Sequence, residues 1–102
     1  MPARYVLSPQ AAIDLVEIWS HLSENTGTTV ADRVEGAILD QIAFVAMRPG
    51  VGHVRPDLTN LNVKFFPVYS YLIVYRPDTK PLQIAAVIHG RRDLQEILKD
   101  RL

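Results

Sequence analysis

The second half of the chain contains three short runs of residues typical of β-strands, joined by very short connections. The runs cover residues 62–66, 71–76 and 82–89, and β-branched and aromatic side chains are frequent in them. The connections at 67–70 and 77–81 contain proline and are too short for a crossover helix, so neighbouring strands must run antiparallel. This half of the chain therefore predicts a three-stranded antiparallel meander.

The first half of the chain has the periodicity of two helices. Ser8-Pro9 supplies an N-cap followed by a proline in the first turn, and Gly27 ends this first helix. Thr29, with Asp32 three positions later, resembles a capping box that opens a second helix, which ends before Pro49. We therefore predict a helical hairpin ahead of the meander.

Two further elements complete the predicted fold. Residues 3–7 have the composition of a short strand, and a C-terminal helix is predicted after Gly90, with Asp93 as its N-cap. The apolar face of the last strand, which the hairpin should cover, carries Ile84, Ala86 and Ile88. The prediction is one α+β domain over residues 1–102, in the order β-α-α-β-β-β with an antiparallel sheet and a short C-terminal helix.

Composition excludes several classes of function. The chain has 102 residues, with 11 basic and 11 acidic side chains, and this zero net charge disfavours broad nucleic-acid binding. Cysteine is absent, so neither disulfides nor thiolate metal sites are expected. No apolar stretch approaches the roughly 20 residues of a membrane helix, and no apolar region follows the first charges. We expect a soluble, cytoplasmic protein without a cofactor.

The familiar catalytic and phosphate-binding signatures are absent, and one weaker cluster remains. Lys64, Arg76, His89, Arg91 and Arg92 are all expected on or beside the sheet. Their cations suit a phosphate or an acidic partner, and histidine is the side chain that most often serves as acid or base, here in RNA cleavage. The alternative is that they are ordinary exposed residues of strand ends.

One helix face carries a second polar group. Asp14, Glu17, His21 and Glu24 form a stripe on helix one, and Glu17 with His21 has the i, i+4 spacing of metal ligands. We interpret this stripe as a solvated helix face, and no metal site is predicted.

The whole chain resembles a ParE-type toxin of the ParE/RelE superfamily of bacterial toxin-antitoxin modules. The resemblance is carried by segments in the family's order: residues 7–11 and 14–19, 31–33, 47–52, 66–68 and 71–76, and 87–94. One departure is Lys64, which stands before Phe65-Phe66-Pro67 where the family often has arginine, so the charge is kept without the planar fork.

The resemblance implies a toxin that poisons DNA gyrase rather than catalysing a reaction. A ParD-like antitoxin would neutralise it in a hetero-oligomeric complex by wrapping the hairpin and sheet, and contact with DNA would be only indirect. Two alternatives remain open. One is a RelE-like, ribosome-dependent mRNA endonuclease that uses Lys64, Arg76, His89 and Arg92, and the other is an inactive relative that only binds antitoxin.

Candidate contacts with the antitoxin or the target come from the helices and from the basic residues. They are Leu15, Ile18, Trp19, Leu22, Val34, Ile38, Arg76, Arg91 and Arg92. We expect core packing to occupy many of these aliphatic side chains. Ile13 and Ile18 widen the apolar arc of helix one beyond one contact surface, so this helix is expected to have two neighbours, one of which can be a partner protein.

Overall fold

A computed structural model describes residues 4–102 and confirms the α+β class and the predicted order of elements. The elements are β1 (Tyr5–Leu7), α1 (Pro9–Thr26), α2 (Thr28–Met47), a 3₁₀ turn (Pro49–Val51), β2 (Lys64–Val68), β3 (Tyr71–Arg76), β4 (Leu82–His89) and α3 (Leu94–Arg101). Residue 3 of the predicted first strand lies outside the described residues.

The two long helices are joined by a single residue. Ser8 caps α1 as predicted, because its Oγ accepts a hydrogen bond from the backbone N–H of Ala11 at 3.0 Å. Gly27 then reverses the chain with a φ of 95°, a conformation that favours glycine. The predicted capping box is wrong, since α2 begins at Thr28 without a side-chain cap and Asp32 instead accepts a hydrogen bond from Trp19 Nε1 at 2.8 Å.

The four strands form a mixed sheet in the order β1-β4-β3-β2. Strands β2, β3 and β4 make the predicted antiparallel meander, whereas β1 pairs with β4 in parallel. The prediction of a wholly antiparallel sheet is therefore wrong for one pair of strands. The helical hairpin connects β1 to the meander, and it allows β1 to lie beside β4, the last strand of the meander, and to run in the same direction. Strand β2 begins two residues later than predicted and includes Pro67, which an edge strand tolerates.

Both faces of the sheet are covered, and a bulge in β4 decides which residues face which way. Val74 pairs with Ala86 but Tyr75 pairs with Ile84, so Ala85 is an extra residue. As a result Ile84 packs in the core under α1 and α2, while Ala86 packs against α3 on the other face, together with Ile88. The prediction that Ile84, Ala86 and Ile88 share one face is wrong, because the bulge reverses the alternation.

The long connection between α2 and β2 is held to the core by one buried tyrosine. The hydroxyl of Tyr75 donates to the carbonyl of Pro49 at 2.7 Å and accepts from the backbone N–H of Gly52 at 2.9 Å. A Cβ atom at Gly52 would lie 2.5 Å from that hydroxyl, so this close approach requires glycine. Burial raises the pKa of Tyr75 above its ordinary value.

Candidate functional site

Asp14 is buried and belongs to a structural network rather than to the predicted solvated stripe. Its side chain is 7% exposed. Oδ2 accepts from the backbone N–H of Val87 and from Nη1 of Arg101, both at 2.9 Å, and Oδ1 accepts from Nη2 of Arg101 at 2.6 Å. The hydrogen bonds to Asp14 raise the pKa of Arg101. The prediction for Asp14 is wrong because its partner lies 87 residues away, beyond the reach of helical periodicity.

An open groove of about 340 Å³ lies between α1 and the end of β4. Its lining comprises Asp14, Glu17, Ile18, His21, Tyr71, Val87, His89 and Arg92. The ring of His89 packs edge-on against Tyr71, with 5.3 Å between centroids, and His89 Nδ1 accepts from the backbone N–H of Arg91 at 3.1 Å. Burial raises the pKa of Tyr71. The groove therefore combines two acidic side chains, two histidines and one guanidinium group.

The structure separates the residues predicted to cluster on the sheet. His89 is paired with Tyr71 at one end of β3, and Lys64 is paired with Tyr75 toward the other, about 14 Å away along the strand. Arg76 follows Tyr75 and so points to the opposite face from Lys64. Only His89 and Arg92 share a groove. The four residues proposed for RNA cleavage therefore do not converge on one surface.

The basic residues at the two ends of the sheet differ in how far their side chains are exposed. Arg76 is half-buried in a second groove of about 290 Å³, which it lines together with Arg101. Arg91 and Arg92 are exposed in the turn before α3, and their guanidinium groups make no ion pair within residues 4–102. These two side chains are available to a partner without any rearrangement.

The aliphatic binding candidates divide into core and partly accessible residues. Leu15 and Ile38 are buried in the core beneath the hairpin, so contact between these two and a partner does not fit this conformation. The half-buried candidates are Ile18, Trp19, Leu22 and Val34. Burial thus removes two of the six aliphatic and aromatic candidates from the accessible surface.

Four exposed apolar side chains of the hairpin are not among the residues predicted to bind a partner. Ile13 and Val16 on α1 are 46% and 64% exposed, and Phe44 and Met47 near the end of α2 are also exposed. Because the hairpin is antiparallel, all four lie at the same end of it, and we refer to them as the hairpin patch. For the residues on α1, the signal in the sequence is the wide apolar arc of helix one, which includes Ile13.

Neither a metal site nor a membrane span is found in the described part of the chain. Among residues 4–102, no three histidine or acidic side chains are placed to hold a metal ion. None of the helices described combines the length and apolar character needed to cross a membrane.

Comparison with known proteins gives one family and one fold. A family model described as the ParE toxin of the type II toxin-antitoxin system parDE matches residues 5–94. A solved structure described as the chromosomal ParDE TA system from P. aeruginosa is similar to the chain, with a TM-score of 0.72 and 20% identity, covering 85% of this chain and 95% of that one. No match was found among curated protein sequences.

Proposed function

Because the chain belongs to the ParE toxin family of type II toxin-antitoxin systems, we propose that it inhibits DNA gyrase and that a ParD-like antitoxin neutralises it. The match over residues 5–94, which spans β1 to the start of α3, carries this proposal. The target and the antitoxin are taken from what is typical of the family. The protein would then act in the cytoplasm and form a hetero-oligomeric complex with the antitoxin.

The hairpin patch is our candidate for the antitoxin surface. Ile13, Val16 and Met47 belong to neither core cluster, and Phe44 is 39% exposed although its ring packs against Phe66 with 6.0 Å between centroids. Exposed apolar side chains that lie near one another commonly mark protein interfaces. Val16→Glu should weaken antitoxin binding at least tenfold while leaving the thermal unfolding midpoint unchanged. Val54→Glu is the matched control, because Val54 is 60% exposed in the loop before β2 and outside the patch. Equal loss of binding in both variants would contradict this assignment.

We propose that inhibition occurs by binding rather than by cleavage of RNA. The separation of Lys64 and Arg76 from His89 and Arg92 supports this view, because a nuclease needs its acid, base and phosphate-holding groups around one bond.

The test is supercoiling by purified gyrase with increasing amounts of this protein, followed by measurement of accumulated cleavage complexes. Inhibition at near-stoichiometric amounts is expected. No inhibition at large excess would contradict gyrase as the target. Codon-linked cuts in mapped mRNA 5′ ends, lost in His89→Ala, would instead indicate the endonuclease, and normal growth without antitoxin would indicate an inactive antitoxin binder.

A further inference from the structure

An exposed tyrosine occupies a backbone position that ordinarily belongs to glycine. Val68 pairs with Tyr71 across β2 and β3, so Tyr69 and Ser70 form a two-residue turn. Tyr69 has a φ of 53° and is the only non-glycine residue with positive φ among residues 4–102. One positive φ at the first turn position is the pattern of a type II′ turn, in which glycine is preferred. A bulky side chain here is unfavourable for the backbone.

The ring of Tyr69 is not part of the core formed by residues 4–102. The side chain is 66% exposed and belongs to neither core cluster. Strained residues persist where the surrounding structure holds them, and they concentrate at functional sites. A strained aromatic residue without a packing role therefore points to a contact outside the chain.

Two exposed guanidinium groups lie beside this turn. The backbone N–H of Gly90 donates to the carbonyl of Ser70 at 2.8 Å, which brings the turn before α3 next to Tyr69. The backbone of that turn is held further by the hydrogen bond from Arg91 N–H to His89 Nδ1. The side chains of Arg91 and Arg92 are exposed, so this hydrogen-bonded turn carries two accessible guanidinium groups.

Two cations accompany one carboxylate in the turn before α3. Asp93 is the one carboxylate within the same turn, and it caps α3 by accepting from the backbone N–H of Glu96 at 3.2 Å. Glu17 faces this region only from the opposite wall of the groove. The tip, defined by Tyr69, Arg91 and Arg92, thus presents one aromatic ring and two cations.

We propose that this tip is the contact with the target and that it docks onto an acidic protein surface; the inference rests on the proposed function. Tyrosine and arginine are enriched among the few residues that contribute most of the binding energy at protein interfaces. Two arginines meet an acidic protein patch well, but they neutralise few phosphates, and the chain as a whole has no basic excess for nucleic acid. The tip is also separate from the hairpin patch, which leaves the antitoxin its own surface.

Tyr69→Gly is the decisive variant, because glycine accepts the positive φ and removes only the ring. We expect the thermal unfolding midpoint to stay the same or rise, while inhibition of gyrase and growth arrest fall at least tenfold. Tyr69→Phe keeps the ring and should retain inhibition within twofold. Val54→Gly, which removes an exposed apolar side chain elsewhere, is the matched control and should retain it too. Arg91→Glu should act like Tyr69→Gly.

Antitoxin binding is measured in parallel and should change less than twofold in Tyr69→Gly. The proposal is wrong if Tyr69→Gly and Arg91→Glu arrest growth as the wild type does. It is also wrong if the affinity of these variants for the antitoxin falls by the same factor as their inhibition of gyrase. A third contradicting result is binding of a single-stranded oligonucleotide by the wild type that is lost in Tyr69→Gly. A wild type that arrests growth but leaves gyrase untouched would contradict the proposed function alone, since loss of arrest in Tyr69→Gly would still support the tip.

Discussion

The ion pair between Asp14 and Arg101 should be the polar interaction on which the docking of α3 most depends. Arg101 is the next-to-last residue, yet its side chain is only 15% exposed and holds Asp14 with two hydrogen bonds. Arg101→Ala leaves a buried carboxylate to which, among residues 4–102, only the N–H of Val87 donates. Removal of one partner of a buried ion pair typically lowers the free energy of unfolding by about 3–5 kcal/mol. We therefore expect a loss of that size in the free energy of unfolding.

Asp14→Asn should cost less than Arg101→Ala. The asparagine amide oxygen can still accept from Val87, and the long side chain of Arg101, which is already partly exposed, can turn toward water. We expect a loss of about 2 kcal/mol, since hydrogen bonds to charged groups contribute about 1.5–3 kcal/mol each. In the double variant the two losses should not add, and the coupling free energy should be about 2 kcal/mol.

The assay is urea unfolding followed by the fluorescence of Trp19, the single tryptophan of the chain. Lys99→Ala is the matched control in α3, because its contact with Glu96 is exposed and should contribute less than about 1 kcal/mol. A coupling free energy below about 0.5 kcal/mol between positions 14 and 101 would refute the reasoning, as would an Arg101→Ala variant as stable as Lys99→Ala.

Three further changes test the packing. Gly36→Ala should raise the free energy of unfolding by about 0.5–1 kcal/mol in the same assay, because a Cβ there meets open space within α2; a loss would contradict this. Tyr75→Phe should cost about 1–3 kcal/mol by leaving the N–H of Gly52 unpaired. Because burial raises the pKa of Tyr75, the contribution of this residue to stability should be fully present below its ordinary pKa of about 10 and be lost as the pH rises through the raised value, so stability at alkaline pH should fall less steeply in Tyr75→Phe; identical alkaline profiles would contradict this. Ser8→Ala should lower the thermal midpoint by removing about 1 kcal/mol of capping, and an unchanged midpoint would show that the cap contributes nothing.

Local chemistry in the sequence determined most of the elements. The cap at Ser8, the glycine at 27 and the strands 71–76 and 82–89 were predicted where the structure has them, because capping, left-handed turns and β-composition depend on neighbouring residues. The family resemblance was likewise a property of the ordered sequence, and the match over residues 5–94 confirms it.

Tertiary structure alone decided what depends on contacts between distant residues. The parallel pairing of β1 with β4, the bulge at Ala85 and the burial of Asp14 each involve partners far apart in the chain. The same applies to the site. The spacing of residues in the sequence does not show that His89 and Lys64 pair with residues near opposite ends of β3. The strained backbone of Tyr69 became visible only in the folded turn, where strand pairing imposes a φ that tyrosine by itself disfavours.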